Sequence, residues 1–331
     1  MSEKTAGLEQ VDTLPYRVGA LMYTPATRQF GTQPFKERYG GALSSLAFCL
    51  EDSIQESALE EAELVLRRTL VLIRDGRLDP GGTLLFVRVR DVAHLHQLRN
   101  FLYGVESVLT GYVLPKFDLT NAEAYVRELE SWDTMQENPL WVMPILESAA
   151  VADVSHRASQ LSELQGILST VRPRVLNLRV GGNDLCNLYG VRRGVRDTIY
   201  DISAVRAVLG DIVSVFAGEY VISGPVWEYF GQDPEGDWAH GLRRELALDR
   251  LNGFIGKTAI HPSQLPVILE SMRVSRQDYE DAVRILSWED DSLGVARSAD
   301  GSRMNEVSCH TAWAEKIALL GQIYGIREEG V

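Results

Sequence analysis

The sequence has few cysteines, no long apolar run and no basic segment, and each shortage excludes a class of protein. Its 331 residues include three cysteines, which are widely separated and form no CxxC pair. Neither a disulfide framework nor a zinc site is therefore expected. The N-terminal segment is polar and lacks an export signal, and no apolar run approaches the length of a membrane span. We expect a cytoplasmic protein with reduced thiols and no membrane association.

Positive charge is also scarce. The chain has 33 Lys and Arg against 46 Asp and Glu, a formal net charge of -13. No cluster of basic residues is interleaved with aromatic residues, so a nucleic-acid-binding surface is not expected. The surplus of carboxylates is compatible with a metal site.

Short apolar runs alternate with helical patterns along most of the chain. Eight strands are predicted, at residues 18–23, 43–50, 84–89, 111–115, 141–146, 175–180, 220–223 and 253–260. These runs are apolar on both faces and are separated by helices, a pattern typical of a parallel sheet that is buried on both sides. Eight such units in about 250 residues favour an α/β fold of the TIM (β/α)8 barrel type. No GxGxxG motif follows the first strand, so no dinucleotide cofactor is expected.

The barrel is predicted to occupy only part of the chain. Residues 1–15 are interpreted as a disordered tail, residues 16–274 as the catalytic barrel and residues 275–331 as a C-terminal helical extension. Within the extension, Asp278–Trp288 and Thr311–Ile326 read as helices joined by a polar segment.

The stretch VLNLRVGGNDLC, residues 175–186, combines a strand pattern with a carboxylate. Leu176, Leu178 and Val180 alternate with polar residues, and two glycines then end the strand in a turn. Asp184 follows that turn. A carboxylate in this position caps the next helix or binds a metal, and the residue alone leaves both interpretations open.

Polar side chains stand at four strand ends where a barrel core would not tolerate them. They are Glu51 with Asp52, Arg88, Glu147 and Asp184. Because the carboxyl ends of barrel strands converge on one mouth, we expect these side chains to lie together there. Glu147 and Asp184 follow neighbouring strands, and two carboxylates completed by water and substrate oxygens are a usual arrangement for Mg2+.

Arg88 is expected to be buried, and a buried guanidinium needs an anionic partner. It either forms a structural ion pair with Glu51 or Asp52, or binds a carbonyl or carboxylate of a substrate. In the second case Glu51 and Asp52 would orient Arg88 and hydrogen-bond the waters around the metal.

Several motifs together resemble one family. They are, in order, LMYTPA, FCLEDSI, VRV, VLPKFD, PILESA, GGNDLCNLYG, GFIGKTAIHPSQL and DGSRMNEVSCHTAWAEKI. In this set and order they are similar to the citrate lyase β-subunit branch of the HpcH/HpaI aldolase superfamily. The resemblance implies a TIM barrel, Mg2+ or Mn2+ bound by Glu147 and Asp184, and contact between Arg88 and a 2-oxo acid.

The resemblance also implies features beyond the metal. Backbone amides around Gly182 and Asn183 would hold the substrate carboxylate. The chain would form a homo-oligomer, a trimer or hexamer, whose C-terminal segment packs on a neighbouring subunit and brings an acidic residue, here Glu306, to its active site. The chain departs from the family pattern at Gly19, Cys49 and Arg90. These departures leave the metal pair in place, but the substrate can differ from that of the family.

The resulting hypothesis is a Mg2+-dependent carbon-carbon lyase, of aldol or Claisen type, acting on a small 2-oxo or hydroxy acid or on its CoA thioester. Two alternatives stay open. One is a metal-dependent aldolase of 4-hydroxy-2-oxo acids that uses no CoA, and the other is a non-catalytic ligand-binding subunit of a larger assembly.

Overall fold

The computed structural model describes residues 12–132, 139–288, 293–298 and 300–327. Residues 1–11 of the predicted disordered tail lie outside these ranges. The chain divides into two compact units, Val18–Ile268 in one, and Met1–Arg17 with Leu269–Val331 in the other.

The larger unit is built around one parallel sheet. Its strands are β1 (Ala20–Pro25), β2 (Ser45–Cys49), β3 (Leu84–Arg88), β4 (Gly111–Leu114), β5 (Trp141–Leu146), β6 (Leu178–Val180), β7 (Ile222–Ser223) and β8 (Lys257–Ala259). They are ordered β7-β6-β5-β4-β3-β2-β1-β8, and every neighbouring pair is parallel. A parallel bridge between Gly224 and Lys257 joins the two edges of the sheet. The predicted TIM barrel is confirmed.

Helices follow most strands, as the barrel architecture requires. They are α1 (Leu14–Arg17), α2 (Phe35–Tyr39), α3 (Leu59–Arg74), α4 (Val92–Phe101), α5 (Ala122–Glu130), α6 (Ala149–Ala152), α7 (Arg157–Thr170), α8 (Gly182–Leu188), α9 (Ser203–Phe216), α10 (Asp237–Leu251), α11 (Gln264–Met272), α12 (Arg276–Leu286) and α13 (Val307–Tyr324). Short 3-10 turns occur at Gly40–Ala42, Glu56–Ala58, Glu106–Val108, Arg172–Arg174 and Ile199–Asp201.

The strands are short and buried on both faces. Leu85, Phe86 and Val87 of β3 are each at most 1% exposed, which explains why this run reads as continuously apolar. Successive side chains along each strand point alternately into the barrel and out of it. On β8, Lys257 contacts helix α10, whereas Thr258 faces the interior.

The register places the functional residues at one rim. Cys49 is paired with Arg88, Arg88 with Val113, and Ile145 with Arg179. The residues that follow β2, β5 and β6 therefore emerge at the same end of the barrel, the carboxyl end of its strands.

Local details differ from the sequence-based expectation. Strand β1 begins at Ala20 rather than Val18, because Gly19 has a φ of 54° and breaks the extended conformation. Helix α4 was not predicted, although Asp91 caps it by accepting a hydrogen bond from the His94 amide at 2.8 Å.

The smaller unit contains the predicted C-terminal helices, α12 and α13. The described residues of this unit also form four short strands, β9 (Val274–Ser275), β10 (Val295–Arg297), β11 (Met304–Glu306) and β12 (Ile326–Arg327). Strands β10 and β11 form an antiparallel pair, and β12 pairs in parallel with β9. Arg303 joins the hairpin to α12 through ion pairs with Asp278 at 2.9 Å and Asp281 at 2.7 Å. Across the described ranges, no helix has the length and apolarity that a bilayer crossing needs.

Candidate functional site

A pocket of about 430 Å³ opens at the carboxyl ends of the barrel strands. It is lined by Tyr23, Thr24, Pro25, Cys49, Asp52, Ser53, Arg88, Ile145, Glu147, Arg179, Val180, Gly181, Gly182, Asn183, Asp184, Val226, Thr258 and Ile260. This is the mouth at which active sites of the fold are found.

Arg88, the last residue of β3, makes three ion pairs with one guanidinium nitrogen. Its Nη2 lies 2.9 Å from Glu51 Oε2, 3.2 Å from Asp52 Oδ2 and 3.4 Å from Glu147 Oε1. Burial lowers the pKa of Arg88, but Tyr23 and the adjacent carboxylates raise it above its ordinary value overall. Arg88 stays charged, and its Nε is buried without a hydrogen-bond partner among the described residues.

Lys116 contacts the same two carboxylates of the loop after β2 that Arg88 contacts. Its Nζ donates to Glu51 Oε1 at 2.6 Å and to Asp52 Oδ1 at 3.4 Å. Burial raises the pKa of Glu51, and the neighbouring Asp52 adds to the rise. Arg88 and Lys116 oppose this rise. The geometry is compatible both with a structural role and with a substrate-orienting role of the Glu51–Arg88 pair.

Glu147 follows β5 and is 3% exposed. Its Oε1 accepts a hydrogen bond from the Lys116 backbone amide at 3.0 Å. Burial raises the pKa of Glu147 to about 8; Arg88 opposes this rise and Asp184 adds to it. A methyl group on Gly181 would lie 1.9 Å from Glu147 Oε2, so a glycine is required beside this carboxylate.

Asp184 lies in the first turn of α8, at the same rim. The helix starts after Gly181 without a side-chain cap, so the capping interpretation of Asp184 is wrong. Its carboxylate faces the pocket, and within the part of the chain that the structure describes it forms no hydrogen bond or ion pair. An acid without a partner next to a buried acid favours binding of a cation.

Gly182 and Asn183 line the pocket between these two acids. A methyl group on Gly182 would lie 2.7 Å from Pro225 Cβ, so the backbone here packs too closely for a side chain. The first amides of α8 have no partner within the helix.

Sequence reasoning missed Arg179, the middle residue of β6. It is 1% exposed and lines the pocket. Its Nη2 donates to Thr258 Oγ1 at 2.6 Å across the barrel interior. The sequence contained a signal, since Arg179 sits in LRV much as Arg88 sits in VRV, both within strands that are otherwise buried.

Arg90, His261 and Glu306 are not among the residues that line this pocket. The guanidinium of Arg90 binds the loop after β2, through Leu50 O at 2.8 Å and Glu56 at 2.5 Å. Arg90 lines a second cavity of about 630 Å³ instead. His261 accepts from the Ser263 amide at 3.2 Å and stacks on Phe230. Glu306 belongs to the smaller unit, where it precedes α13 and accepts from Ser308 Oγ at 3.1 Å.

The pocket has the ligands that a hard divalent cation needs. Glu147 and Asp184 place carboxylate oxygens at neighbouring strand ends. No group of three or more His, Cys, Asp or Glu side chains with metal-binding geometry occurs in the described ranges. Mg2+ is commonly bound by one or two carboxylates, with water and substrate completing its shell. The donor set therefore fits Mg2+.

Comparison with known proteins gives a family and several relatives. The model of a family described as C-C bond lyases of the TIM-barrel fold matches residues 12–326. A (3S)-malyl-CoA thioesterase from Cereibacter sphaeroides is 27% identical over 262 residues, which are 76% of this chain and 75% of that protein.

Solved structures share the fold. The protein CitE from Mycobacterium tuberculosis, in complex with magnesium, acetoacetate and coenzyme A, has a TM-score of 0.60 at 21% identity, covering 92% of this chain and 99% of that one. RipC from Yersinia pestis has a TM-score of 0.54 at 19% identity, covering 78% of this chain and 96% of that one. At these identities the likeness supports the barrel alone.

Proposed function

The chain belongs to the family of C-C bond lyases of the TIM-barrel fold, and from this premise we propose that it is a Mg2+-dependent enzyme acting on a small 2-oxo or hydroxy acid. One observation carries the proposal. Asp184, which forms no hydrogen bond or ion pair among the described residues, and the buried Glu147 line one pocket beside the charged Arg88. An oxygen-ligated cation and a guanidinium side by side are suited to a carbonyl next to a carboxylate.

Glu147 and Asp184 would hold the Mg2+. When bound, the ion supplies positive charge that stabilises negative charge on a substrate oxygen. The CitE structure named with magnesium and acetoacetate supports this assignment. We propose Mg2+ as the physiological ion, with Mn2+ as a substitute of the same ligand preference.

The protein's own groups would orient the acid. Arg88 would donate to the carbonyl oxygen and hold it in place, and the amides of Gly182 and Asn183 would bind the carboxylate. Glu51 and Asp52, which already contact Arg88 at 2.9 and 3.2 Å, would fix the orientation of that guanidinium and hydrogen-bond waters near the ion.

The reaction would be a reversible aldol or Claisen-type cleavage. In the cleavage direction, the hydroxyl of a hydroxy acid gives up its proton and becomes a carbonyl as the adjacent carbon-carbon bond breaks. The electron pair of that bond remains on the other fragment as an enolate, which then takes up a proton. Arg88 would stabilise the negative charge that the hydroxyl oxygen carries after it has lost its proton and before it becomes the carbonyl oxygen.

We propose that the second fragment is a CoA thioester. The (3S)-malyl-CoA thioesterase relative and the coenzyme A named in the CitE complex support a thioester. The alternatives are an aldolase that uses free acids and a subunit that binds without turnover.

One experiment separates these three. The purified full chain is titrated with Mg2+ and a panel of 2-oxo acids, with and without acetyl-CoA, while acid consumption and the formation of new acyl-CoA or aldol products are followed. Turnover that requires the thioester supports the lyase, and turnover without it supports the aldolase. Tight Mg2+-dependent binding with no turnover in either condition would support the third alternative, a subunit that binds the acid without turnover. The absence of Mg2+-dependent binding would overturn the proposal.

We further propose that residues 275–331 form an extension that packs on a neighbouring subunit of a homotrimer or homohexamer, after a barrel of residues 16–274. Glu306 would then assist catalysis at the neighbour's pocket. A cytoplasmic location is proposed as well, and the free thiols of Cys49, Cys186 and Cys309 support a reducing compartment.

A further inference from the structure

The pocket contains two buried arginines whose charges are balanced very differently. Arg88 contacts three carboxylates. The guanidinium of Arg179, which is 1% exposed, donates to the neutral hydroxyl of Thr258 at 2.6 Å, and the phenol of Tyr23 is a second uncharged polar neighbour. By distance and angle, its Nε and Nη1 have no hydrogen-bond partner among the described residues.

No carboxylate of the described ranges forms an ion pair with Arg179. Burial lowers the pKa of Arg179; the phenol of Tyr23 opposes this shift, and the charge of Arg88, which repels Arg179, adds to it. A buried cation without a counter-charge is costly, and proteins keep such groups where a ligand supplies the missing anion. Since Arg179 lines the pocket, the anion can arrive only through the site already described.

Building on the proposed function, we infer that Arg179, with Thr258, binds a second carboxylate of the substrate, so that the enzyme acts on a dicarboxylic 2-oxo or hydroxy acid. The carbonyl is assigned to Arg88 and to the Mg2+ that Glu147 and Asp184 would hold, and the first carboxylate to the amides of Gly182 and Asn183. Arg179 enters from β6 and Thr258 from β8, away from β3 and β5, which carry Arg88 and Glu147. The planar guanidinium of Arg179 matches the geometry of a carboxylate.

The test compares two acids of equal chain length. Oxaloacetate ends in a carboxylate and 2-oxobutyrate ends in a methyl group. Both are titrated calorimetrically into the full chain at saturating Mg2+, without thioester. A charge-assisted contact predicts that the wild type binds oxaloacetate about 10- to 100-fold more tightly. Equal affinity for the two acids would overturn the inference and leave the proposed function in place, whereas no Mg2+-dependent binding of either would overturn both.

Variants of Arg179 locate the contact. In Arg179→Met the preference is expected to fall to about threefold or less, with affinity for Mg2+ and for 2-oxobutyrate unchanged. Arg179→Lys, which keeps the charge, should retain part of the preference. An equal loss for both acids in the Met variant would assign Arg179 to general support of the pocket and contradict the inference.

Thermal melting without ligand distinguishes a structural role of Arg179 from a role in ligand binding. If Arg179 only supported the fold, Arg179→Met would melt earlier than the wild type. The inference predicts a melting temperature equal to or above that of the wild type, because the variant removes an uncompensated buried charge. The comparison of the two acids on the wild type requires no variant, so the inference stays testable even if Arg179→Met does not fold.

Discussion

The backbone amide of Lys116 donates to Glu147 Oε1 at 3.0 Å from a left-handed conformation, with φ of 49°. Residues other than glycine rarely adopt this backbone conformation, because it costs them about 1 kcal/mol or more. The strain is located where the amide meets the proposed metal ligand, so the local backbone conformation positions the carboxylate.

Lys116→Gly and Lys116→Ala test this strain as a matched pair. Both remove the ion pair to Glu51, but only glycine relieves the backbone. The Gly variant is expected to be more stable than the Ala variant by about 1 kcal/mol, measured by urea denaturation of the metal-free protein. If the two variants unfold at the same urea concentration, the left-handed conformation carries no strain.

Glu147→Gln and Asp184→Asn test the metal ligands. Each replaces a carboxylate with an amide of the same shape, so Mg2+ affinity should fall about 100-fold or more and Mg2+-dependent turnover should fall with it. The metal-free melting temperature should stay within about 3 °C of the wild type. Glu123→Gln, an exposed carboxylate on α5, is the matched control and should bind Mg2+ normally. Unchanged affinity in either variant would remove that residue from the site.

The pH dependence of Mg2+ binding follows from Glu147. Its pKa is raised to about 8 by burial, so at lower pH the group is protonated and must release a proton before it can bind the cation. Affinity for Mg2+ should rise about tenfold per pH unit between pH 6 and pH 8 and then level off. Calorimetry in buffers of different ionisation enthalpy would measure the proton released. A flat profile would contradict the raised pKa.

Much of the site was predictable because strand ends in a barrel meet at one rim. Glu51, Asp52, Arg88, Glu147 and Asp184 were each conspicuous as polar residues at the ends of apolar runs. The structure adds that they share one network of contacts, except Asp184, whose carboxylate is left unpaired among the described residues.

Arg179 was missed for a physical reason. In a strand buried on both faces, alternation does not say which residues face water, so LRV resembled a strand with one polar face. Its partner Thr258 is 79 residues away in sequence, and no local pattern links them. Helix α4 was overlooked for a different reason, since its buried face is limited to His94, Leu95 and Leu98 and gives a weak periodic signal.

The buried ion pairs of Lys257, a residue of β8, predict that replacing this lysine strongly lowers the stability of the protein. Lys257 is fully buried, and its Nζ lies 2.8 Å from Glu245 and 2.7 Å from Asp249. Lys257→Met would leave both acids without this cation and should lower the free energy of unfolding by about 3 kcal/mol or more. Lys36→Met, on the exposed face of α2, should change it by less than about 0.5 kcal/mol. Urea denaturation measures both, and similar effects in the two variants would mean that these ion pairs are not a source of stability.

Glu306 allows a test of the proposed shared active site. If Glu306 acts on a neighbouring subunit, Glu306→Gln and Asp184→Asn inactivate different halves of the same site. Each variant prepared separately should be nearly inactive. Mixed oligomers formed by co-expression should regain activity at about one quarter of their sites, because random mixing pairs an intact metal site with an intact Glu306 at that frequency. Size-exclusion chromatography would confirm that the mixture has the oligomeric state of the wild type. Mixed oligomers with no activity above that of the separate variants would place Glu306 outside the neighbour's catalytic machinery.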